Sequence, residues 1–452
     1  MGKVYVVVGA GFRGFCDALQ LIKEPGAKIY MVDREPFFGG ISCSGKVRDF
    51  SVDKGVHMFD GITRELADNV TEIMDGRVRT IDFVSVSAFN GHLTEGFSLP
   101  DLSSLPDDTK TRITAELKLL AADAGKGGAP VPRNLRGLFE ARYGATAGGI
   151  FAGIFQSIYH IDAKLVQPDA ISKTSLGRLK HLDDPLMLAL KASDPFLDAV
   201  LAARRQALGK VDELVSIYPD TGEAMRGWCV RARKWLEDRG VTMCLGQNIE
   251  SIESTGDKVR LKTGAHTIDA NRIIWTNDNT QALACLLGFD FDTRDLVSNT
   301  PMLFATLITR AEHIKDFTYL QNFDPEGKTY RTACAGIYSG QIDADGNSFV
   351  TCECPTPIDS ERWNNPGQAH HAIWQECKAL GIVSPDAELA DHAVLRLPCT
   401  FKVAKLGYDE EIRAFEAEVG RRMRALIFRD VKPFFRRDIY LDSLRVRDLA
   451  NA

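Results

Sequence analysis

The sequence has little excess charge, no long apolar run and no regular spacing of cysteines. Lys and Arg number 55 and Asp and Glu number 61 among the 452 residues, so the net charge is −6. A protein that coats nucleic acid or an anionic membrane needs a basic surface, so the composition favours neither class. No run of about 18 uncharged apolar residues is present, and we therefore expect no transmembrane helix.

Neither the N-terminus nor the spacing of the cysteines indicates a secreted or metal-binding protein. The opening residues, MGKVYVVVGAGF, lack the basic start, long apolar run and cleavage site of a secretory signal. The ten cysteines are scattered, and the spacing of Cys352 and Cys354 suits neither a zinc site nor a thioredoxin-like motif. We expect reduced thiols, no metal site and a cytoplasmic location. The length and ordinary composition predict a multidomain α/β protein.

The first sixty residues carry the most informative pattern. The β-branched run from Lys3 to Val8 predicts a strand, which ends at a turn with three glycines and passes into a helical pattern. A second apolar run, from Lys28 to Val32, ends at Asp33. A strand, a GxGxxG turn, a helix and a second strand that ends in an acid are typical of a Rossmann-like dinucleotide-binding unit.

Each residue of this pattern suits one part of a dinucleotide. Gly9 permits a tight turn, Gly11 lets the backbone approach a diphosphate, and Gly14 lets the helix pack closely on the strand. The N-terminus of the helix supplies unpaired N–H groups for the phosphates. Asp33 is suited to accept hydrogen bonds from ribose hydroxyls. The alternatives are a glycine-rich turn without a ligand and an aspartate that caps a turn.

The residues after Asp33 distinguish NAD from FAD. An NAD domain normally continues directly into a second helix, whereas this chain has a glycine pair, Gly39-Gly40, and then an Asp-x-Gly-x-His strand from Asp53 to His57. The chain thereby resembles the GR2-type FAD domain of the superfamily that contains flavin amine oxidases, protoporphyrinogen oxidase and UDP-galactopyranose mutase. For Gly39-Gly40 alone, an ordinary turn is the alternative.

A second segment of the chain follows the same family order. Residues 215–276 show a strand that ends in Tyr218-Pro219, a helix from Met225 to Arg239, several short strands and a buried strand that ends at Thr276. The family usually has two glycines after Tyr-Pro, whereas only Gly222 is present here.

The resemblance implies an α/β fold in which an α+β substrate-binding domain is inserted into a Rossmann-like FAD-binding domain. The FAD domain is expected at residues 1–80, 211–300 and 395–452, and the substrate domain at 81–210 and 301–394. The cofactor-binding residues that the resemblance implies are Gly9, Gly11, Phe12, Arg13, Gly14, Asp33, Arg34, Gly39, Gly40, Ile41, Gly55, Val56, His57, Ile249 and Thr276.

The resemblance also implies catalytic and substrate-binding residues. It places His57 beside the flavin ring, where an imidazole can transfer a proton near neutral pH, and a packed core histidine is the alternative. It implies Tyr319, Arg331 and Tyr408 as substrate-binding residues. The guanidinium of Arg331 suits phosphate or carboxylate, and a surface arginine is the alternative.

The C-terminal residues depart from the family pattern. Arg421-Arg422 stands where a glycine-rich stretch is expected, and a basic run from Arg429 to Arg447 follows. We expect Asp442-Ser443 to open a short last helix, because both are good N-cap residues. Either an anionic-substrate patch or a solvated helical face accounts for a group of four arginines, namely Arg436, Arg437, Arg445 and Arg447.

One glycine-rich stretch lies elsewhere in the chain. The stretch from Ala124 to Pro130 is expected to be a surface linker rather than a phosphate cradle, because it lacks a buried strand before it and a GK[ST] ending.

Three functions remain open at this point. The favoured one is a flavin-dependent oxidoreductase, like an amine oxidase or protoporphyrinogen oxidase, that transfers hydride to FAD from a small or sugar-linked substrate, including a nucleotide sugar. The alternatives are a non-redox isomerase of the UDP-galactopyranose mutase type, whose substrate arginines and paired aromatic motif are not evident, and a catalytically silent FAD-binding scaffold. The expected partners are a small molecule, with an anionic one allowed, and a second copy of the chain in a homodimer.

Overall fold

The computed structural model describes residues 2–124, 131–208, 215–277, 280–429 and 435–451, apart from the side chains of Arg205 and Leu208. Residues 125–130 of the expected linker lie outside these ranges. None of the helices within them is both long enough and apolar enough to cross a bilayer.

The strands alternate with helices along much of the chain. The strands are β1 (Val4–Val8), β2 (Lys28–Asp33), β3 (Gly45–Val47), β4 (Phe50–Val52), β5 (Phe59–Ile62), β6 (Val78–Thr80), β7 (Ser85–Phe89), β8 (His92–Glu95), β9 (Val215–Pro219), β10 (Val241–Leu245), β11 (Ile249–Thr255), β12 (Lys258–Thr263), β13 (Thr267–Ala270), β14 (Arg272–Trp275), β15 (Val297–Arg310), β16 (Tyr319–Asn322), β17 (Arg331–Ala333), β18 (Asn347–Pro355), β19 (Asp391–Ala404) and β20 (Leu426–Phe428). The α-helices are α1 (Phe12–Leu21), α2 (Arg64–Ile73), α3 (Asp107–Ala124), α4 (Leu135–Tyr159), α5 (Asp184–Ser193), α6 (Pro195–Val200), α7 (Arg205–Leu208), α8 (Met225–Glu237), α9 (Thr280–Leu287), α10 (Ala335–Tyr338), α11 (Glu361–Asn364), α12 (Pro366–Ala379), α13 (Tyr408–Arg422), α14 (Arg436–Ser443) and α15 (Val446–Asn451).

The first of two compact units is built on a parallel sheet and comprises residues 1–81, 213–295 and 409–452. Its five strands have the order β10-β2-β1-β14-β20, and every neighbouring pair is parallel. The central strand β1 is almost continuously apolar and buried, as expected for a strand covered on both faces. Because β2 and β14 lie on opposite sides of β1, the order of the strands reverses at β1. A crevice at the carboxyl ends of the strands is the usual result.

The second unit, residues 82–212 and 296–408, is built on a mostly antiparallel sheet. Its seven strands have the order β19-β15-β18-β17-β16-β7-β8, and only the pair of β16 and β7 is parallel. One core packs Leu303, Val350 and Trp374 between the sheet and α12. A second core is centred on aromatic residues of α4, including Phe139 and Phe155. The mixed α/β architecture expected from the sequence is confirmed.

Two expectations about the later part of the chain need correction. Residues 296–300 and 395–408 belong to the second unit rather than to the first, because β15 begins at Val297 and pairs with β19 from Asp391 to Ala404. Asp442-Ser443 does not open a helix but closes α14. The Asp442 carboxylate does not cap a helix but forms ion pairs with Arg13 at 3.2 Å and with Arg429 at 3.0 Å.

A buried histidine makes the stability of the second unit sensitive to acid. His181 is fully buried, and its Nε2 lies 2.9 Å from the Thr114 hydroxyl. Its Nδ1 has no hydrogen-bond partner among the described residues. Burial, together with the neighbouring charge of Lys180, lowers the pKa of His181 to about 4. The unfolded chain therefore binds a proton at a higher pH than the folded chain does.

We predict that His181→Gln flattens the acid dependence of stability. The folded pKa is depressed, so the stability from neutral His181 is complete above pH of about 6.5 and is lost as the pH falls towards 4. Urea unfolding at about pH 7 and about pH 4.5 should show a loss on the order of 2 kcal/mol that His181→Gln removes. The exposed His371→Gln is the control, and an unchanged pH dependence in His181→Gln would contradict the prediction.

Candidate active site

The turn between β1 and α1 is closely packed at two of its three glycines. Gly9 has a φ of 112°, and a Cβ atom there would lie 2.5 Å from the Thr276 hydroxyl oxygen. A Cβ atom on Gly14 would lie 1.9 Å from the Gly9 carbonyl oxygen. The fold itself therefore requires glycine at both positions. Gly11 differs, because its φ is −81° and an added Cβ would meet no atom within 4 Å.

The residues around this turn have distinct roles. Phe12 is buried against Trp228 and Phe59, so its side chain belongs to an aromatic cluster. Arg13 is buried and pairs with Asp442. The Thr276 hydroxyl donates a hydrogen bond to the Val8 carbonyl oxygen at 2.8 Å, which ties β14 to the start of the turn. These three side chains support the turn rather than open onto it.

Asp33 ends β2 beside a cavity of about 310 Å³. Its carboxylate accepts backbone N–H bonds from Ala10 at 2.7 Å and from Glu35 at 2.9 Å. A carboxylate has about four acceptor positions, so it retains capacity for a ligand hydroxyl. Residues at the carboxyl ends of β1, β2 and β14, in the segment after β10 and on α9 line the cavity, namely Val8, Gly9, Val32, Asp33, Arg34, Gln247, Asn248, Ile249, Trp275, Asn277, Ala282, Cys285 and Leu286.

The Gly39-Gly40 pair packs directly on the glycine turn. The Gly39 N–H donates to the Ala10 carbonyl oxygen at 2.8 Å, and a Cβ on Gly40 would lie 3.3 Å from the Gly11 Cα. Both glycines have positive φ values, 109° and 56°. Ile41 is 60% exposed beside them. The structure thus brings the two glycine motifs together.

The Asp-x-Gly-x-His segment is anchored at its first residue. Asp53 is buried and accepts hydrogen bonds from Ser44 and Tyr218, both at 2.5 Å, and from the Met225 N–H at 3.3 Å. Burial raises its pKa. These bonds hold the segment against the start of α8 and thereby position Gly55 and the half-buried Val56 and His57.

His57 itself has two backbone contacts. Its Nε2 lies 3.2 Å from the Lys54 carbonyl oxygen, and its own carbonyl oxygen accepts a hydrogen bond from Arg436 at 3.2 Å. The ring is therefore oriented by the turn that precedes it.

Arg436 joins two of these segments through a buried guanidinium. It donates to the Met58 carbonyl oxygen at 3.2 Å and to the Ser42 hydroxyl at 3.0 Å. Its Cζ lies 4.6 Å from the ring centroid of Phe12 and 4.9 Å from that of Phe59. Nη1 is buried without a hydrogen-bond partner among the described residues, and the negative charge of Asp53 acts on the guanidinium without a direct hydrogen bond. Burial lowers its pKa to about 10.

Arg436 therefore fits neither expectation for the four C-terminal arginines, since it is not a solvated side chain and does not lie in an open patch. Arg445 and Arg447 are engaged by Asp442 and Glu24. Nothing in the sequence distinguished Arg436 from its neighbours, because its burial depends on residues almost 400 positions away.

The three predicted substrate residues lie in the second unit or at its end. Arg331 forms a bidentate pair with Glu353 on the neighbouring strand, at 2.7 and 2.9 Å. The edge of the Arg331 guanidinium that was expected to bind a substrate is thus already hydrogen-bonded to Glu353. Tyr319 packs edge-on against Phe83, with ring centroids 5.3 Å apart, and Tyr408 begins α13.

None of these three residues lines the large cavity of the second unit. That cavity has a volume of about 1030 Å³ and is lined by side chains of both charges. Lys180 and Asp101 form a buried ion pair of 2.7 Å in its wall. Across the described parts of the chain, no cluster of three or more His, Cys, Asp or Glu side chains is suited to hold a metal ion.

Comparisons with known proteins identify the fold. No protein family model and no curated protein sequence matches the chain. Among solved structures, reduced UDP-galactopyranose mutase matches with a TM-score of 0.73 and 15% identity over 99% of this chain and 95% of that one. A structure from Exiguobacterium sp. 255-15, named as a protoporphyrinogen oxidase, matches with a TM-score of 0.69 and 14% identity over 100% and 99%. Putrescine oxidase bound to putrescine matches with a TM-score of 0.61 and 10% identity over 100% of both chains.

These structures confirm the resemblance at the level of the fold. The structures of UDP-galactopyranose mutase, of the Exiguobacterium protein and of putrescine oxidase share the architecture of this chain over nearly its whole length. Identities of 10 to 15% do not carry substrate or activity across.

We predict that Gly14→Ala destabilises the protein, whereas Gly11→Ala does not. The added methyl group at residue 14 would overlap a backbone carbonyl, at a cost of about 3 kcal/mol, since backbone and helix must separate. The same methyl group at residue 11 enters open space. Urea midpoints of the two variants and the wild type test this, and equal midpoints for the two variants would disprove the close approach.

Proposed function

We propose that the chain binds FAD along the glycine turn of its first unit and is a flavin-dependent oxidoreductase. The substrate is a small or sugar-linked molecule. The proposed cofactor-binding set keeps Gly9, Gly11 and Gly14 at the diphosphate and Asp33 at a ribose, with Gly39-Gly40 alongside. Arg34, Ile41, Gly55, Val56, His57 and Ile249 belong to the set through their positions beside these segments. Three more residues remain in it as neighbours of the glycine turn, namely Phe12, Arg13 and Thr276.

The observation that carries the proposal is the unexplained glycine at residue 11. The backbone at Gly11 is ordinary, and the space beside it is open. It follows that neither strain nor packing within the protein calls for glycine there. A ligand that approaches the backbone closely would require it, and the N-terminus of a helix is suited to an anionic ligand.

Two further features fit FAD. The cavity beside Asp33 lies at the carboxyl ends of β1, β2 and β14, where an adenosine can be held. The Nη1 of Arg436 is buried without a hydrogen-bond partner among the described residues, and a buried polar group that is left unpaired is costly. An anionic or polar group of the cofactor would supply the missing partner.

FAD, when bound, supplies the electron chemistry of the reaction. The residues of the chain bind and orient it, and they set its surroundings. His57 is proposed to hold or transfer a proton, because its carbonyl is fixed by Arg436 and its ring by the Lys54 carbonyl. Tyr319, Arg331 and Tyr408 remain proposed substrate-binding residues. For Arg331, this requires the substrate to contact a guanidinium that Glu353 already holds.

One observation keeps a second reaction class open. UDP-galactopyranose mutase, which is named for an isomerisation, has a TM-score of 0.73 to this chain, and putrescine oxidase has one of 0.61. The second candidate is therefore a flavin-dependent isomerase that returns its cofactor to the starting redox state in each cycle.

We predict that Gly11→Ala weakens FAD binding at least tenfold without lowering stability. The methyl group would occupy the space through which the diphosphate reaches the backbone, and a tenfold loss corresponds to about 1.4 kcal/mol. Quenching of FAD fluorescence during titration measures the affinity. Gly45→Ala is the control, because its added Cβ also meets no atom within 4 Å. Unchanged FAD affinity in Gly11→Ala would refute the proposed cofactor path.

Anaerobic spectroscopy tests the reaction class. We expect the FAD-loaded protein to be yellow and to bleach when an oxidisable amine, porphyrinogen or nucleotide sugar is added without oxygen. Turnover that requires prior reduction with dithionite and leaves the flavin reduced would favour the isomerase. A yellow protein that responds to none of these substrates under either condition would reject both candidates and support a silent scaffold.

A further inference from the structure

Two cysteines of the first unit face each other across Gly39. Cys43 follows the short turn Gly40–Ser42, and Cys229 lies on α8. A Cβ atom on Gly39 would lie 2.2 Å from the Cys229 Sγ and 3.5 Å from the Cys43 Cβ. The two cysteine side chains therefore occupy the space on one side of this bare Cα, within reach of each other.

The two thiols have unequal chemistry. The Cys43 side chain is partly exposed, whereas Cys229 is 1% exposed. The neighbouring Cys229 thiol lowers the pKa of Cys43 to about 7, and the positive charges of Arg226 and Lys54 act in the same direction. The neighbouring Cys43 and burial raise the pKa of Cys229. Of the two thiols, Cys43 is therefore the one that more readily becomes a nucleophilic thiolate near neutral pH, and Cys229 is the protonated thiol beside it.

We propose that Cys43 and Cys229 form a reversible redox site that a low-molecular-weight disulfide oxidises to an intramolecular disulfide. This inference does not depend on FAD binding. In the first step, the Cys43 thiolate attacks one sulfur of the small disulfide, which forms a mixed disulfide and releases one small thiolate. Cys229 then loses its proton to solvent and attacks the Cys43 Sγ, which releases the second small thiol. Two protein thiols are oxidised, and one small disulfide is reduced to two thiols.

A second thiol pair shows why proximity alone is not sufficient. The Sγ atoms of Cys352 and Cys377 lie 3.7 Å apart in the second unit. Both residues are fully buried, and burial raises the pKa of Cys352 well above its ordinary value. The Cys352 thiol therefore stays protonated near neutral pH, and the burial of both residues denies access to an oxidant. That pair is the natural control within the same chain.

Oxidation at the proposed site would act on the segment that carries the glycine pair. The Gly39 N–H is bonded to the Ala10 carbonyl oxygen, and Gly40 packs on Gly11. A disulfide would join this segment covalently to α8. The short segment 39–43 would then be held at both ends, by the glycine turn and by the helix.

The test oxidises the native protein with glutathione disulfide near pH 7 and identifies the products by peptide mass spectrometry. The background carries Cys285→Ser and Cys399→Ser, which removes the two exposed cysteines. We expect a peptide that links Cys43 to Cys229 and no peptide that links Cys352 to Cys377. Adding Cys229→Ser should leave a stable glutathione adduct on Cys43, whereas Cys377→Ser should change nothing.

Alkylation kinetics provide a measurement that needs no further variant. The rate at which iodoacetamide modifies Cys43 in the native protein should rise with a midpoint near pH 7, below the value of about 8.5 for an ordinary thiol. The absence of the Cys43–Cys229 peptide from oxidised native protein would overturn the proposal, as would its appearance only after unfolding. A Cys43 midpoint near 8.5 would also overturn it.

Discussion

The close approach of the glycine turn to its neighbouring strands is the constraint on which the first unit depends. Helix α1 can pack on β1 only because the Gly14 Cα lies against the Gly9 carbonyl oxygen, where a methyl group would overlap it. Thr276 closes the other side through its hydroxyl bond to Val8. This packing places the N-terminus of α1 at the carboxyl end of β1, and a helix N-terminus in that position is suited to bind an anion.

Buried charges then fix the C-terminal segment to the same helix. Arg429 contacts Asp17 at 2.5 Å, and Arg13 contacts Asp442 at 3.2 Å. Burial raises the pKa of Asp17 to about 6 despite its partner, so this pair adds little net stability. The pair instead fixes the positions of the two segments, because a buried charge is tolerated only where its partner lies beside it. The pairing holds α14 beside α1 and brings Arg436 onto Phe12.

The parts of the fold that local pattern determines could be predicted from the sequence. The strand–turn–helix at the start and the strands of residues 215–276 follow from apolar periodicity and glycine placement, and the structure confirms them. The prediction that Asp442 opens the last helix is wrong. Its carboxylate pairs with three arginines, and a local sequence pattern does not show such pairing. The Arg331–Glu353 pair was missed, because it requires the register of β17 on β18, which no local pattern encodes.

The motif glycines separate into two kinds once the structure is known. Gly9 and Gly14 are explained by contacts within the protein, and so is Gly39, which lies against the Cys229 sulfur. Gly11 alone among the three glycines of the first turn is unexplained by backbone angle or packing. A sequence motif cannot make this distinction, because it contains both kinds at fixed spacing. Gly11 is the glycine of this turn that the fold does not need, and its position at the N-terminus of α1 is what makes it point to a ligand.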